Sequence, residues 1–211
     1  MKLQLPQQRK HQSRVILLRH AMRDAIPHGE IGNDLPITQE GCLAAKSLGF
    51  SLKNVPFVSI VTSPIKRCIQ TAEYIKQGLQ QDIPIIYSKI LGDPGPFVNN
   101  PFLAGPLFLE SGTHAVYNAL MRGSRLPGMN SFNKGICQFL TYLNRNSQPL
   151  QLMVSHDFLV ATLAAFFFDQ TCLEKIWPDF LEAFIIDYDP REFTCSYRNM
   201  STSTTWKKIL N

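Results

Sequence analysis

Two histidines, one near each end of the chain, stand where apolar, strand-like runs stop. Residues 15–18 lead into Arg19-His20, and residues 150–154 lead into Ser155-His156-Asp157. Between them the run 57–62 ends at Ser63-Pro64, and the helical pattern that follows carries Arg67 in its first turn. An imidazole can be a nucleophile, forming a covalent intermediate that water then hydrolyses. Arginine offers a planar, permanently charged fork for two-pronged contact with an oxyanion, which lysine does not reproduce. In a parallel α/β sheet the carboxyl ends of the strands share one edge, and ligands bind along it. The three segments are therefore expected to meet there and surround one anion with two histidines and two or three arginines. Such a set could transfer a phosphoryl group.

The elements that must position these groups are legible in the periodicity. Residues 15–18 read as a first strand, 57–62 as a second, 83–87 as a third and 150–154 as the strand before His156. Thr38 is placed to cap a helix with Ala45, Leu48 and Leu52 on one face. Ser63 is expected to cap the next helix, with Pro64 at its first position and Ile65, Ile69, Ala72 and Leu79 as its apolar stripe. Phe132, Ile136, Phe139, Leu140 and Leu143 mark another amphipathic helix. Strands at 183–188 and 193–197 flank a turn at Asp189-Pro190-Arg191-Glu192. Alternating strands and helices predict an α/β sandwich. Residues 92–128 break the rhythm, with Pro94, Pro96, Pro101, Pro106 and Pro127 among several glycines. They read as a long irregular insertion that exposes Phe97, Phe102, Leu103, Leu107, Phe108 and Tyr117. Insertions of this kind serve as lids or binding loops, so 92–128 is expected to be a cap over the strand ends, supplying a substrate-selective wall.

Composition sets the outer limits. A chain of 211 residues with 45% hydrophobic content suits one domain with a sizeable core. The polar segment 1–14 lacks an apolar signal-peptide core and is expected to fray, which leaves 15–211 as the domain. The longest apolar stretch, FLVATLAAFFF, is too short to span a bilayer and reads as a buried helix. A net charge of +5 favours anionic ligands. The basic residues are scattered and not interleaved with aromatics, which argues against nucleic acid as a partner. Cys42, Cys68, Cys137, Cys172 and Cys195 show neither metal-ligand spacing nor a CxxC pair. An odd count of thiols points to a reduced, cytoplasmic protein, and Cys42 and Cys68 read as small buried hydrophobes.

These segments together resemble the histidine phosphatase superfamily, which includes the phosphoglycerate mutases and the histidine acid phosphatases. The resemblance rests on four ordered elements: VILLRHAMRD, LPITQEGCLAAKSLG, VTSPIKRCIQTAEYI and LQLMVSHDFLV. It runs from about residue 15 to about residue 197, with Ala21 standing where the family usually has Gly. It implies a three-layer α/β/α sandwich of the phosphoglycerate mutase kind, a phosphohistidine on His20, and no cofactor or metal. It also implies phosphate contacts from Arg19, Arg67 and His156, and from Arg23 by similarity to the Arg-His-Gly-x-Arg-x-x-Pro form of the acid phosphatase branch.

The general acid divides the two branches. The acid phosphatases use the Asp of a His-Asp pair, which implies Asp157; its plain alternative is a cap on the following helix. The mutase-like branch draws a Glu from the segment after the third strand, where Asp93 lies nearest and Glu110 farther along. His11, His28 and His114 are expected to be structural, as are Trp177, Phe180 and Leu181, while Glu182 could orient a neighbouring loop. The expected activity is hydrolysis of a small phosphomonoester. The rival readings are a mutase-like phosphotransferase and a non-catalytic phospho-ligand binding module.

Overall fold

The computed structural model describes residues 5, 12–27, 29–170 and 172–206. Most of the segment 1–14, with His11 and also His28, lies outside the described residues. Seven strands form one sheet in the order β3-β2-β4-β1-β5-β6-β7. These are β1 (Ser13–Arg19), β2 (Ser59–Thr62), β3 (Ile85–Tyr87), β4 (Leu150–Ser155), β5 (Ala183–Tyr188), β6 (Glu192–Tyr197) and β7 (Met200–Thr205). The first four are parallel. The last three continue the sheet antiparallel from the β1 side.

Strand β1 shows why the sheet is covered on both faces. Side chains alternate along a strand, and here both sets are apolar, as expected of a central parallel strand. Ile16 and Leu18 pack with Ala45, Leu48, Ala72 and Ile75 of helices α1 (Gln39–Ser51) and α2 (Lys66–Leu79). Val15 and Leu17 face the opposite cluster. That cluster includes residues of α3 (Pro101–Met121), α4 (Phe132–Arg145) and α5 (Asp157–Phe168). Each fully buried aliphatic side chain contributes about 1.5–3 kcal/mol of transfer free energy. The result is the expected three-layer α/β/α sandwich. FLVATLAAFFF is indeed a buried helix, α5, and no helix among the described residues is long and apolar enough to cross a membrane.

Local signals hold at several ends. The Thr38 side chain accepts from the Gly41 amide at 3.1 Å, capping α1. Asp189 Oδ1 accepts from the amides of Arg191 and Glu192, fixing the β5–β6 turn.

Two expectations need correction. Helix α2 starts at Lys66, with Ile65 as its N-cap, so Ser63 and Pro64 precede it. Ile65 is held extended, and the Ser63 hydroxyl accepts from its amide at 3.3 Å. Residues 92–128 are also not irregular throughout, since 101–121 form a helix. Pro101 opens α3 at a position where its missing N–H does no harm, and the Asn100 side chain caps the helix by accepting from the Phe102 amide. Gly112, at φ 77°, kinks α3 into two stretches by adopting a left-handed backbone that other residues resist. Phe97 and Tyr117 are core residues, while Phe102 is 92% exposed. Of the prolines, Pro101 marks the helix start and Pro106 lies within the helix, while Pro94, Pro96 and Pro127 stand in the connecting segments.

Candidate active site

The parallel strands bring the expected residues to one edge. β1 and β4 are neighbours with Arg19 opposite Ser155, so His20 and His156 leave the sheet side by side. Their rings meet edge to face with centroids 5.5 Å apart. β2 flanks β4 on its other side, which delivers Ser63 to His156: its hydroxyl lies 3.1 Å from Nε2. Strand β3 leads into Leu91 and Gly92, and Ser155 Oγ donates to the Leu91 carbonyl. The carbon of a side chain at Gly92 would stand 2.5 Å from the His156 ring and 2.8 Å from the Ser63 hydroxyl, so only glycine lets this backbone approach.

The two imidazoles are held differently. His20 is 1% exposed. Its Nδ1 lies 2.8 Å from the Ala21 carbonyl, an acceptor only, so Nδ1 carries the proton and Nε2 keeps its lone pair. Arg67 Nε donates to that Nε2 at 3.2 Å. Burial, then the proximity of the His156 ring and the Arg67 charge, push the His20 pKa well below its usual value. His156 meets only side chains: Arg67 Nη2 at 3.3 Å from Nδ1, and Ser63 with Cys68 Sγ (3.5 Å) at Nε2. Burial first, then Arg67, Arg23 and Arg19, lower its pKa strongly too. Both rings are therefore held in the neutral form near pH 7, which leaves the His20 Nε2 lone pair available.

Arg67 joins the pieces. Besides the two histidines it donates from Nη1 to the Gly32 carbonyl at 2.7 Å, pinning the loop before α1. Its backbone carbonyl accepts from Thr71 Oγ1, which in turn accepts from the Ala21 amide. Arg23 donates to the Asp24 carbonyl, and its Nε is buried with no hydrogen-bond partner among the described residues. Burial lowers the pKa of both arginines. Desolvated, under-compensated cations of this kind stand ready for an anion.

Arg19 behaves otherwise. Its guanidinium donates to the Pro178 carbonyl (2.7 Å), pairs with Asp157 Oδ2 (3.1 Å) and lies over the Phe180 ring at 4.0 Å. It does not line the cavity that opens at the histidines. Asp157 does, with Oδ1 accepting from the Phe158 amide at the start of α5. Asp93 also lines the cavity and is exposed, while Glu110 is exposed and outside it. The cavity measures about 330 Å³. His114 packs edge-on against Trp177, away from this chemistry. Among the described residues, no cluster of three or more His, Cys, Asp or Glu side chains is arranged to hold a metal ion.

Residues 15–93 match the sequence profile described as histidine phosphatase superfamily (branch 1). The match is to the histidine phosphatase superfamily. It covers β1 through Asp93, and so His20, Arg23 and Arg67. Over 128 residues the chain is 32% identical to the ubiquitin-associated and SH3 domain-containing protein B of Mus musculus and 30% identical to that of Homo sapiens. The aligned part is 58% of this chain, and the chain spans about a fifth of the length of those relatives.

Solved structures share the phosphoglycerate mutase-like fold. YhfR of Bacillus stearothermophilus is 21% identical with a TM-score of 0.56, covering 83% of this chain and 91% of its own. Phosphoserine phosphatase of Entamoeba histolytica is 20% identical with a TM-score of 0.56, covering 82% and 89%. Phosphoglycerate mutase of Bacillus anthracis is 15% identical with a TM-score of 0.54, covering 95% of each chain.

Sequence reasoning assigned no site role to Phe180, whose ring lies 5.7 Å from that of His20. It is presented by a loop that Glu182 ties down: Glu182 Oε2 accepts from the Asp179 amide, and Arg198 and Tyr197 hold the same carboxylate. The signal was the Trp177-Pro178 step before a strand that pairs with β1. Cys68 is buried as expected, but beside His156, and burial pushes its thiol up to about 12, so it remains a neutral neighbour.

Proposed function

We propose that this protein is a phosphomonoesterase that works through a phosphohistidine on His20 and needs no metal. The observation that carries the reading is the Nε2 lone pair of His20, fixed by the Nδ1 contact to Ala21 and faced by Arg67. Arg67 and Arg23 bind the non-bridging oxygens: Arg67 exchanges its contacts with the two ring nitrogens for phosphate, and Arg23 offers the buried Nε that has no hydrogen-bond partner among the described residues. Nε2 attacks phosphorus while the ester P–O bond breaks, and its electron pair leaves on the alcohol oxygen. Asp157 protonates that oxygen. Water then attacks the phosphohistidine and loses its proton to Asp157, the N–P bond breaks, and inorganic phosphate departs. His156 donates to the transferring group once phosphate takes the place of its present contacts. Preorganised charge of this kind supplies the largest share of phosphoryl-transfer catalysis. Arg19, paired with Asp157, positions the acid.

One observation favours a second assignment for the acid. Both oxygens of Asp157 are engaged, whereas Asp93 lines the same cavity without a side-chain hydrogen bond or ion pair among the described residues.

Hydrolysis of phenyl phosphate in excess chelator, with and without an added alcohol acceptor, tests the reading. Metal-free turnover to inorganic phosphate is expected. Transfer to the acceptor in preference to water would return the mutase-like alternative. Binding of phosphate without any turnover would leave a phospho-ligand module.

A further inference from the structure

We infer that the group esterified to the phosphate is apolar and uncharged: the site takes the phosphate monoester of an aromatic or aliphatic alcohol, and disfavours esters with a second anionic group. This rests on the phosphate-binding role proposed for Arg23 and Arg67. The cavity is chemically divided. His20, His156, Arg23 and Arg67 supply the groups for phosphate; the apolar part of the lining is Ile26 and Ile31 from the loop before α1, and Val98, Ala104, Phe108 and Leu109 from the 92–128 segment. Apart from the two histidines, its only basic lining side chains among the described residues are the two arginines that the phosphate itself engages. Its remaining charged lining residues, Glu30, Asp93 and Asp157, are all acidic. Among the described lining residues, a carboxylate on the leaving group, as in a phosphoglycerate, would thus meet no further arginine or lysine and up to three negative charges.

Neutral polar partners are few as well. Asn33, Thr113 and Ser155 are the lining amide and hydroxyl side chains, and Ser155 already donates to Leu91. A sugar would bury hydroxyls that this wall cannot satisfy, which is unfavourable. The volume, about 330 Å³, lies at the small end of the range for ligand pockets of about 300–1,000 Å³. After the phosphate there is room for one compact apolar group. Burying each methylene against such a wall strengthens binding about fourfold.

The test is calorimetric titration of the intact chain with methyl-, butyl-, hexyl- and phenylphosphonate, and with 3-phosphoglycerate. Because phosphonates are not cleaved, the result does not depend on the chemistry at His20. The dissociation constant should tighten by about fourfold per methylene until the wall is filled, with 3-phosphoglycerate no tighter than methylphosphonate. Ile31→Asn and Leu109→Asn should each reduce the hexyl-to-methyl affinity ratio several-fold; Ile31 is 51% exposed, so its variant keeps the core intact. Equal affinity along the series, or 3-phosphoglycerate binding more tightly than hexylphosphonate, would overturn the inference. If the series shows the gain but no phosphate ever appears on His20, the inference stands and the phosphatase reading falls.

Discussion

The cavity has two ends built by different parts of the chain. The end proposed to hold the phosphate is assembled from residues that immediately follow β1, β2 and β4, plus the first turn of α2. Its groups are locked to each other: Arg67 touches both histidines, and Gly92 lies too close to His156 to admit a side chain. The end proposed to take the leaving group is lined from α3 and the loop before α1, where most of the lining side chains are apolar. The first end has directional contacts and fixed charge, the requirements of transition-state stabilisation. The second has surface that can be exchanged without disturbing the chemistry. On the proposed reading, reaction and selectivity are carried by separate pieces of chain, and substitutions at the two ends should read out differently.

The largest expected effect is at the phosphate end. His20→Ala should lower kcat/KM for every phosphate ester by at least three orders of magnitude, about 4 kcal/mol of barrier, with the melting transition preserved. Steady-state rates on an aryl and an alkyl ester check this. A folded His20→Ala protein with near-normal turnover would remove the distinction between the ends altogether.

Arg67→Lys comes next. Arg67 spreads three nitrogens over His20, Gly32 and His156, a pattern one ammonium cannot copy. A loss on the order of a hundredfold is expected, within a few-fold of Arg67→Ala and equal for good and poor leaving groups. Recovery of most activity by lysine would mean that Arg67 supplies charge only.

Where the two ends meet, the effect should depend on the leaving group. Asp157→Asn should slow alkyl phosphates on the order of a hundredfold and nitrophenyl phosphate much less, because only the poor leaving group needs its proton. Asparagine can still accept from the Phe158 amide, so stability should change little. Asp93→Asn should show no such selectivity; finding it there would move the acid to Asp93.

The smallest effect is on stability against pH. His20 and His156 are held neutral by burial, with pKa values below the unfolded value of about 6.5. The unfolded chain therefore takes up protons that the folded chain refuses. Stability is full above pH ~6.5 and falls as pH drops, by up to about 1.4 kcal/mol per pH unit per histidine. The melting temperature should fall on acidification and fall less steeply in His156→Asn. A melting temperature independent of pH in that window would show that the histidines are not desolvated as the fold requires.

Much of the phosphate end was legible in the sequence because strand ends carry a local signal: an apolar run that stops at a charged or polar pair. Residues 15–20, 57–63 and 150–157 each show it, and parallel topology does the rest. Arg67 was legible through its place in the first turn after Ser63-Pro64. The helical course of 101–121 was not, since Pro101, Pro106 and Gly112 read as loop signals; in the fold Pro101 opens the helix, Pro106 lies within it and Gly112 forms its kink. Strand β7, MSTSTT, is polar on both faces and has no apolar alternation to reveal it. The turn of Arg19 toward Asp157 and Pro178 was equally hidden, because it depends on a loop more than 150 residues away that Glu182 holds in place.

The central claim is that His20 becomes covalently phosphorylated. Acid-free quenching during turnover of an alkyl phosphate, followed by peptide mass spectrometry under alkaline conditions that preserve phosphohistidine, addresses it most directly. The account predicts one phosphoryl group on the peptide carrying His20, absent in His20→Ala and trapped at higher occupancy in Asp157→Asn with a nitrophenyl ester. A phosphoryl group on His156 instead, or sustained turnover with His20 unmodified throughout, would contradict it.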